Sequence, residues 1–187
     1  MTSILALSGS LRAKSFNTEL ARIASRVAPE GVTVTVATLH GIPLYDGDLE
    51  ADSGIPASVL ALKQQILDHQ GLLLVTPEYN NGVPGVMKNG VDWLSRADMK
   101  AVFYNRPVAV IGATPGGWGT LSAQSAWLPI QRALGTRDYT GHRLLLSQAQ
   151  NNLPGDGSIA DPKTEAMLVA LLEGFAGFIR QQCTPAA

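Results

Sequence analysis

Three stretches of this sequence carry polar residues in patterns that could do chemistry, and each directly follows a short apolar run. The first, after Ile4 to Leu7, reads Gly9-Ser10-Leu11-Arg12-Ala13-Lys14-Ser15-Phe16-Asn17-Thr18, hydroxyls and amides interleaved with two cations where a helical pattern begins. A dianionic phosphate suits such a place. Backbone N–H groups, the helix dipole, the hydroxyls of Ser10 and Ser15 and the amide of Asn17 would all face it. Hydrogen bonds to a charged group contribute ~1.5–3 kcal/mol each, so three or four would supply much of the ~8 kcal/mol of a micromolar complex. Two other phosphate motifs are excluded. Gly9 is followed by Ser10 and Leu11, which breaks GxGxxG, and Ala13 precedes Lys14-Ser15 where a Walker A loop needs glycine. What remains is a mononucleotide without NTPase chemistry.

The second stretch, Thr76-Pro77-Glu78-Tyr79-Asn80-Asn81-Gly82, interrupts an apolar run (Leu72 to Val75) before a helical pattern resumes at Pro84. Pro77 and Pro84 restrict the backbone, while Gly82 and Gly85 let it turn and approach something flat. The third is the glycine-dense loop Gly112-Ala113-Thr114-Pro115-Gly116-Gly117-Trp118-Gly119. Other polar residues are less pointed. His40, His69 and His142 have no ligand spacing with one another or with Cys183, so no metal is expected. Ser8 and Ser122 lack evident His or Asp partners for hydrolase chemistry. Tyr45, Asp46 and Asp48 read as a capped surface turn or as the border of a neighbouring subunit's site. Lys88, Asp92 and Arg96 recur every fourth residue and share a helix face, where local pairing accounts for them.

The elements that must position these loops are short apolar strands alternating with amphipathic helices. Strands are expected at Ile4–Leu7, Val32–Val36, Leu72–Val75, Val108–Ile111 and Leu144–Leu146. Helices are expected from Ser15 to before Pro29, from Pro56 to about Leu67, from Pro84 to about Arg96, from Thr120 to Leu134 and from Thr164 to Gln182. Gly41–Asp48 and Asn151–Ser158 read as loops, and Pro129 should kink or divide its helix. Strands apolar on both faces imply a parallel sheet covered by helices on both sides. Ligands bind beyond the carboxyl ends of such strands. The three loops follow strands one, three and four, which are neighbours in the order 2-1-3-4-5 and not in 3-2-1-4-5. Their chemistry fits one shared site, which selects the first order.

Composition narrows the class. At 187 residues, with 45% apolar and 16% charged, the chain is expected to form one domain over 1–187. A net charge of −1 offers no field to draw nucleic acid, an anionic membrane or a basic electron-transfer partner. One cysteine cannot form an intrachain disulfide. The N-terminus has no basic n-region and no long apolar run, so a cytoplasmic protein with no membrane association is expected.

The set GSLRAKSFN, PLYDGDLE, TPEYNNGVPGVMKNGVDWLSR and GATPGGWGT, in this order, resembles the NADPH-dependent FMN reductase family, which includes quinone, chromate and azo-dye reductases. The resemblance runs from Ile4 to roughly Leu134. It implies a flavodoxin-like three-layer sandwich with a five-stranded parallel sheet, non-covalent FMN, a homodimer or homotetramer, and hydride passed from NADPH or NADH through the flavin to a small-molecule acceptor. By position it implies that Ser10, Arg12, Ser15 and Asn17 hold the phosphate and ribityl end. Pro77, Glu78, Tyr79, Asn80 and Gly82 would line the isoalloxazine, with Gly116, Gly117 and Trp118 closing the other edge. No side chain need act as a nucleophile, because the chemistry lies on the flavin. The bulk of Trp118 and the segment Trp127-Leu128-Pro129 depart from the family pattern. A flavodoxin-like electron carrier that does not itself oxidise NAD(P)H is the alternative.

Overall fold

The structure, a computed structural model, describes residues 1–183. Seven helices and six strand segments occur among them. The strands are β1 (Thr2–Ser8), β2 (Val32–Ala37), β3 (Gly71–Val75), β4 (Pro107–Ala113), β5 (Arg137–Asp138) and β6 (Leu144–Leu146). The helices are α1 (Phe16–Arg26), α2 (Gly47–Ser53), α3 (Ala57–Leu67), α4 (Gly85–Val102), α5 (Leu121–Leu134), α6 (Ala149–Asn152) and α7 (Pro162–Cys183). All strand pairs are parallel, in the order β2-β1-β3-β4-β5, with β6 also on β4.

Strand periodicity divides the core in two. Successive side chains of a strand point to opposite faces, so Ile4 and Ala6 of β1 face one layer while Leu5 and Leu7 face the other. The first layer holds Leu20 and Ile23 of α1 and Leu168, Leu172, Phe175 and Ile179 of α7. The second holds Val59 and Ile66 of α3, Met87, Val91, Trp93 and Leu94 of α4, and Trp127 of α5. β3 splits the same way, with Leu73 and Val75 in the first layer and Leu72 and Leu74 in the second. The result is the expected flavodoxin-like three-layer sandwich with the expected strand order.

Four local features differ from what the residue pattern predicts. The fifth position of the sheet is shared: β5 pairs with the start of β4 and β6 with its end. Two residues at Arg137–Asp138, one exposed, give no apolar run to find. α2 occupies part of a predicted loop. Asp46 caps it by accepting from the Asp48 N–H at 2.9 Å, yet none of its residues is buried, so it leaves no hydrophobic period. α4 continues past Arg96 through a break at Asp98 (φ 177°, ψ 82°), whose Oδ1 accepts from the Ala101 N–H at 3.0 Å and so caps the last turn. α5 runs through Pro129 as one helix. Pro129 is exposed, so the carbonyl that loses its donor there faces water and the usual penalty shrinks.

The carboxyl edge of the sheet is tightly stitched. The ladder extends one step beyond β3 and β4, with Thr76 N–H donating to the Ile111 carbonyl (2.8 Å) and Thr114 N–H to that of Leu146 (3.0 Å). A Cβ on Gly112 would lie 2.1 Å from the Thr76 carbonyl oxygen and 2.6 Å from Thr120 Oγ1. Only glycine permits that approach. Gly112→Ala should therefore destabilise the protein by ~1–3 kcal/mol through overpacking, whereas Gly85→Ala, with nothing within 4 Å of the added carbon, should be neutral or stabilise by up to ~1 kcal/mol. Paired urea denaturation curves would measure both.

Candidate functional site

β1, β3 and β4 end side by side, with Ser8 opposite Val75 and Val75 opposite Ile111. The three polar loops therefore leave the sheet at one edge. Gly9 makes the first junction: its N–H donates to the Val75 carbonyl at 2.9 Å. A Cβ there would meet Met87 Sδ at 2.5 Å and Pro77 Cδ at 2.9 Å. The first loop is pressed against the second with no room for a side chain.

Beyond Gly9 a cleft of about 140 Å³ opens. Of the residues singled out from sequence, Ser10, Arg12, Ser15, Asn17, Pro77, Glu78 and Tyr79 line it. Phe16, Ala113, Thr114 and Pro115 complete the wall. All four lie in the first and third stretches singled out from sequence, which gave them no individual role. Asn80, Gly82, Gly116, Gly117 and Trp118 lie outside this lining, and Trp118 is 85% exposed.

Hydrogen bonding shows what each polar group has left to offer. Ser15 is the N-cap of α1, its Oγ accepting from the N–H groups of Asn17 (3.2 Å) and Thr18 (3.3 Å). Ser10 Oγ accepts from the Arg12 N–H at 3.3 Å. A hydroxyl that accepts from the backbone keeps its own proton to donate, so both serines remain donors toward the cleft. Arg12 donates to the Lys14 carbonyl at 2.8 Å, and its guanidinium carbon lies 5.3 Å from the centre of the Phe16 ring. Asn17 is the most committed. Its Nδ2 donates to the Ala113 carbonyl (2.8 Å) while its Oδ1 accepts from the Ala113 N–H (2.9 Å), leaving one N–H of the amide.

The second loop closes on itself. Tyr79 and Gly82 exchange backbone hydrogen bonds (3.3 and 3.0 Å) across Asn80 (φ 50°) and Asn81 (φ 57°). Two left-handed central residues make a type I′ turn, for which asparagine is well suited. The Gly82 N–H is thereby used within the turn. Among the described residues the N–H groups of Asn80 and Asn81 make no hydrogen bond. Glu78 Oε2 accepts from the Ala123 N–H at 2.9 Å, placing a carboxylate at the positive end of α5. Thr76 is buried and accepts from the Trp127 indole at 3.2 Å, tying the loop to the helix that carries Pro129.

The loop after β2 is strapped over α4. Asn89 accepts from the Tyr45 N–H (2.8 Å) and donates to the Pro43 carbonyl (2.8 Å), which Trp93 Nε1 also reaches (2.9 Å). Tyr45 donates to Glu50 at 2.9 Å, and Arg96 makes bidentate contact with the same carboxylate at 2.9–3.1 Å. Arg96 and Glu78 thus each have a partner within the chain. Lys88 and Asp92 pair locally at 2.7 Å.

Comparison with known proteins gives the family. The model of the family described as NADPH-dependent FMN reductase matches residues 2–151, slightly more than the motifs alone suggested. The chain is 34% identical over 174 residues to 2-hydroxy-1,4-benzoquinone reductase from a Burkholderia species, covering 93% of this chain and 94% of that protein. It is also 34% identical over 180 residues to quinone reductase of Escherichia coli K12, covering 95% of each. Among solved structures, FerB, a flavoenzyme NAD(P)H:(acceptor) oxidoreductase from Paracoccus denitrificans, superposes with a TM-score of 0.85 at 31% identity, over 97% of this chain and 99% of that one.

Two outcomes are expected from these contacts. Asn17→Ala strands a buried N–H and a buried carbonyl at ~1–3 kcal/mol each, so it should cost ~2–6 kcal/mol in urea denaturation. Arg96 holds the Glu50 carboxyl below its ordinary value of 4.5. The stability this pair contributes should be complete above that value and be lost as pH falls through the lower folded one. Stability of the protein and of Arg96→Gln, measured from pH 7 downward, should converge in acid.

Proposed function

The chain belongs to the NADPH-dependent FMN reductase family, and from that premise we propose an oxidoreductase that passes hydride from NAD(P)H through non-covalent FMN to a small acceptor such as a quinone. Azo compounds, metal oxyanions and free flavin are further acceptors of the same open face, used in a ping-pong sequence. The observation that carries this is the convergence, in one cleft, of two serine hydroxyls whose protons are left to donate, the N-terminus of α1 and the Arg12 guanidinium, beside the Pro77–Gly82 turn. That donor set fits a phosphate monoester on a flat ring system.

When bound, FMN supplies the redox chemistry, accepting hydride from the nicotinamide and giving it to the acceptor. The chain's own residues bind and orient. Ser10, Ser15 and Arg12 would hold the phosphate, with Asn17 lining the same end. Pro77, Glu78 and Tyr79 would wall the ring, with the N–H groups of Asn80 and Asn81, unpaired among the described residues, as donors to it and Gly82 closing their turn. Gly116, Gly117 and Trp118 would border the opposite edge. No side chain forms a bond to substrate. One domain would carry the whole activity, in the cytoplasm, as a homodimer or homotetramer. Among the described residues no helix is long and apolar enough to cross a membrane.

The purified protein should be yellow and should consume NAD(P)H in the presence of a quinone without any added reductase. A colourless preparation that takes up no FMN on titration would overturn the proposal, and an FMN-bound protein with negligible NAD(P)H turnover would mark an electron carrier instead. Ser15→Ala should weaken FMN by ~10-fold or more and leave riboflavin, which lacks the phosphate, unaffected in fluorescence titration.

A further inference from the structure

The edge of the sheet opens between β5 and β6. β5 pairs with β4 at Pro107 and Val108, and β6 pairs with it from Ile111 onward. The chain between them leaves the sheet, so among the described residues no strand lies beside Val110 on that side. A hollow of about 320 Å³ covers this gap, at the lower end of the range for small-molecule sites. Gln124, Leu128 and Gln131 of α5 line it, with Asp138 from β5 and Arg143 from the loop that follows. It shares no lining residue with the cleft at the carboxyl edge.

The fold leaves three oxygens of this lining without a partner. Gln124 and Gln131 are 7% and 3% exposed. Gln124 Nε2 donates to the Leu144 carbonyl (2.9 Å) and to Thr120 Oγ1 (3.0 Å), and Gln131 Nε2 donates to Asp138 Oδ1 (2.9 Å). A carbonyl or a carboxylate only accepts, so these partners fix both amides and the oxygen of each is the atom left over. Asp138 Oδ1 also accepts from the Thr136 hydroxyl at 2.6 Å, which leaves Oδ2. Among the described residues none of the three oxygens has a donor, and none is covered by protein.

A polar side chain this deeply buried normally has its hydrogen bonds met, and here the donors must come from outside. An ammonium carries three N–H donors and no acceptor, which suits Asp138 Oδ2 and Gln131 Oε1 together. Gln124 stands about 10 Å back along α5, with Leu128 between them. A ligand that uses all three oxygens therefore has an apolar middle and a second donor at its far end. Arg143 is exposed and unpaired among the described residues, and His142, hydrogen-bonded to the Tyr139 hydroxyl at 2.8 Å, is the other titratable side chain on that loop. The guanidinium offsets the charge of Asp138, so a single ammonium with a neutral far end fits better than a diamine. We propose that this hollow binds a short aliphatic amino alcohol, its ammonium on Asp138 and Gln131, its stem over Leu128 and Val110, and its hydroxyl on Gln124.

The test is calorimetric titration of the purified protein with 4-amino-1-butanol and with 1,4-butanediol. The diol should bind ~10-fold or more weakly, because it lacks the charge-assisted contact. Asp138→Asn should weaken the amino alcohol by a similar factor. It should leave the urea midpoint nearly unchanged, since an asparagine oxygen still accepts from Gln131 and Thr136. Arg143→Gln, at an exposed position, should tighten binding ~2- to 5-fold by removing the opposing charge. Absence of binding, equal binding of the diol, an affinity that survives Asp138→Asn, or one that does not rise in Arg143→Gln would overturn the proposal. Flavin-free and FMN-loaded protein should give the same affinities, so this site stands or falls apart from the FMN reductase proposal.

Discussion

The amide of Asn17 pairs with the N–H and carbonyl of Ala113 as one strand pairs with another, and the site depends on that pair. It joins the first turn of α1 to the end of β4 across 96 residues of chain, within a buried setting. Leaving either backbone group unpaired there would be costly. The pair therefore fixes the first polar loop against the third, while the Gly9 contact with Val75, Pro77 and Met87 fixes it against the second. Two short-range constraints at neighbouring strand ends hold three loops whose own contacts would not specify their separation.

That rigidity lets small polar groups keep their valences for a ligand. The serine oxygens are occupied as acceptors by the backbone, and their protons are not. The Tyr79–Gly82 turn satisfies its two outer residues and leaves the N–H groups of the two asparagines without partners among the described residues. The carboxylates near the edge are spoken for: Glu78 by the N-terminus of α5, Glu50 by Arg96 and Tyr45.

The sheet was legible because its strands are short apolar runs ending in glycine and polar residues, and the order followed from asking which strands must be neighbours for their loops to share chemistry. What escaped had no hydrophobic signature. β5 is two residues, α2 buries nothing, and the last turn of α4 begins from an Asp98 cap behind a break in the period. Pro129 misled in the other direction, since its cost depends on whether the freed carbonyl is buried, which sequence does not record.

For the site, the residue types alone determined that the first loop suits a phosphate and the second a tight, proline-bounded turn, because hydroxyls, amides, glycine and proline act through local backbone geometry. Only the tertiary structure decided how each group is spent. It turned Asn17 into a clamp on β4, gave Glu78 to α5 and Arg96 to Glu50, and brought Thr114 and Pro115 into the cleft wall. These are contacts between residues far apart in the chain, and a side chain's spare hydrogen-bonding capacity is defined only once all its neighbours are in place.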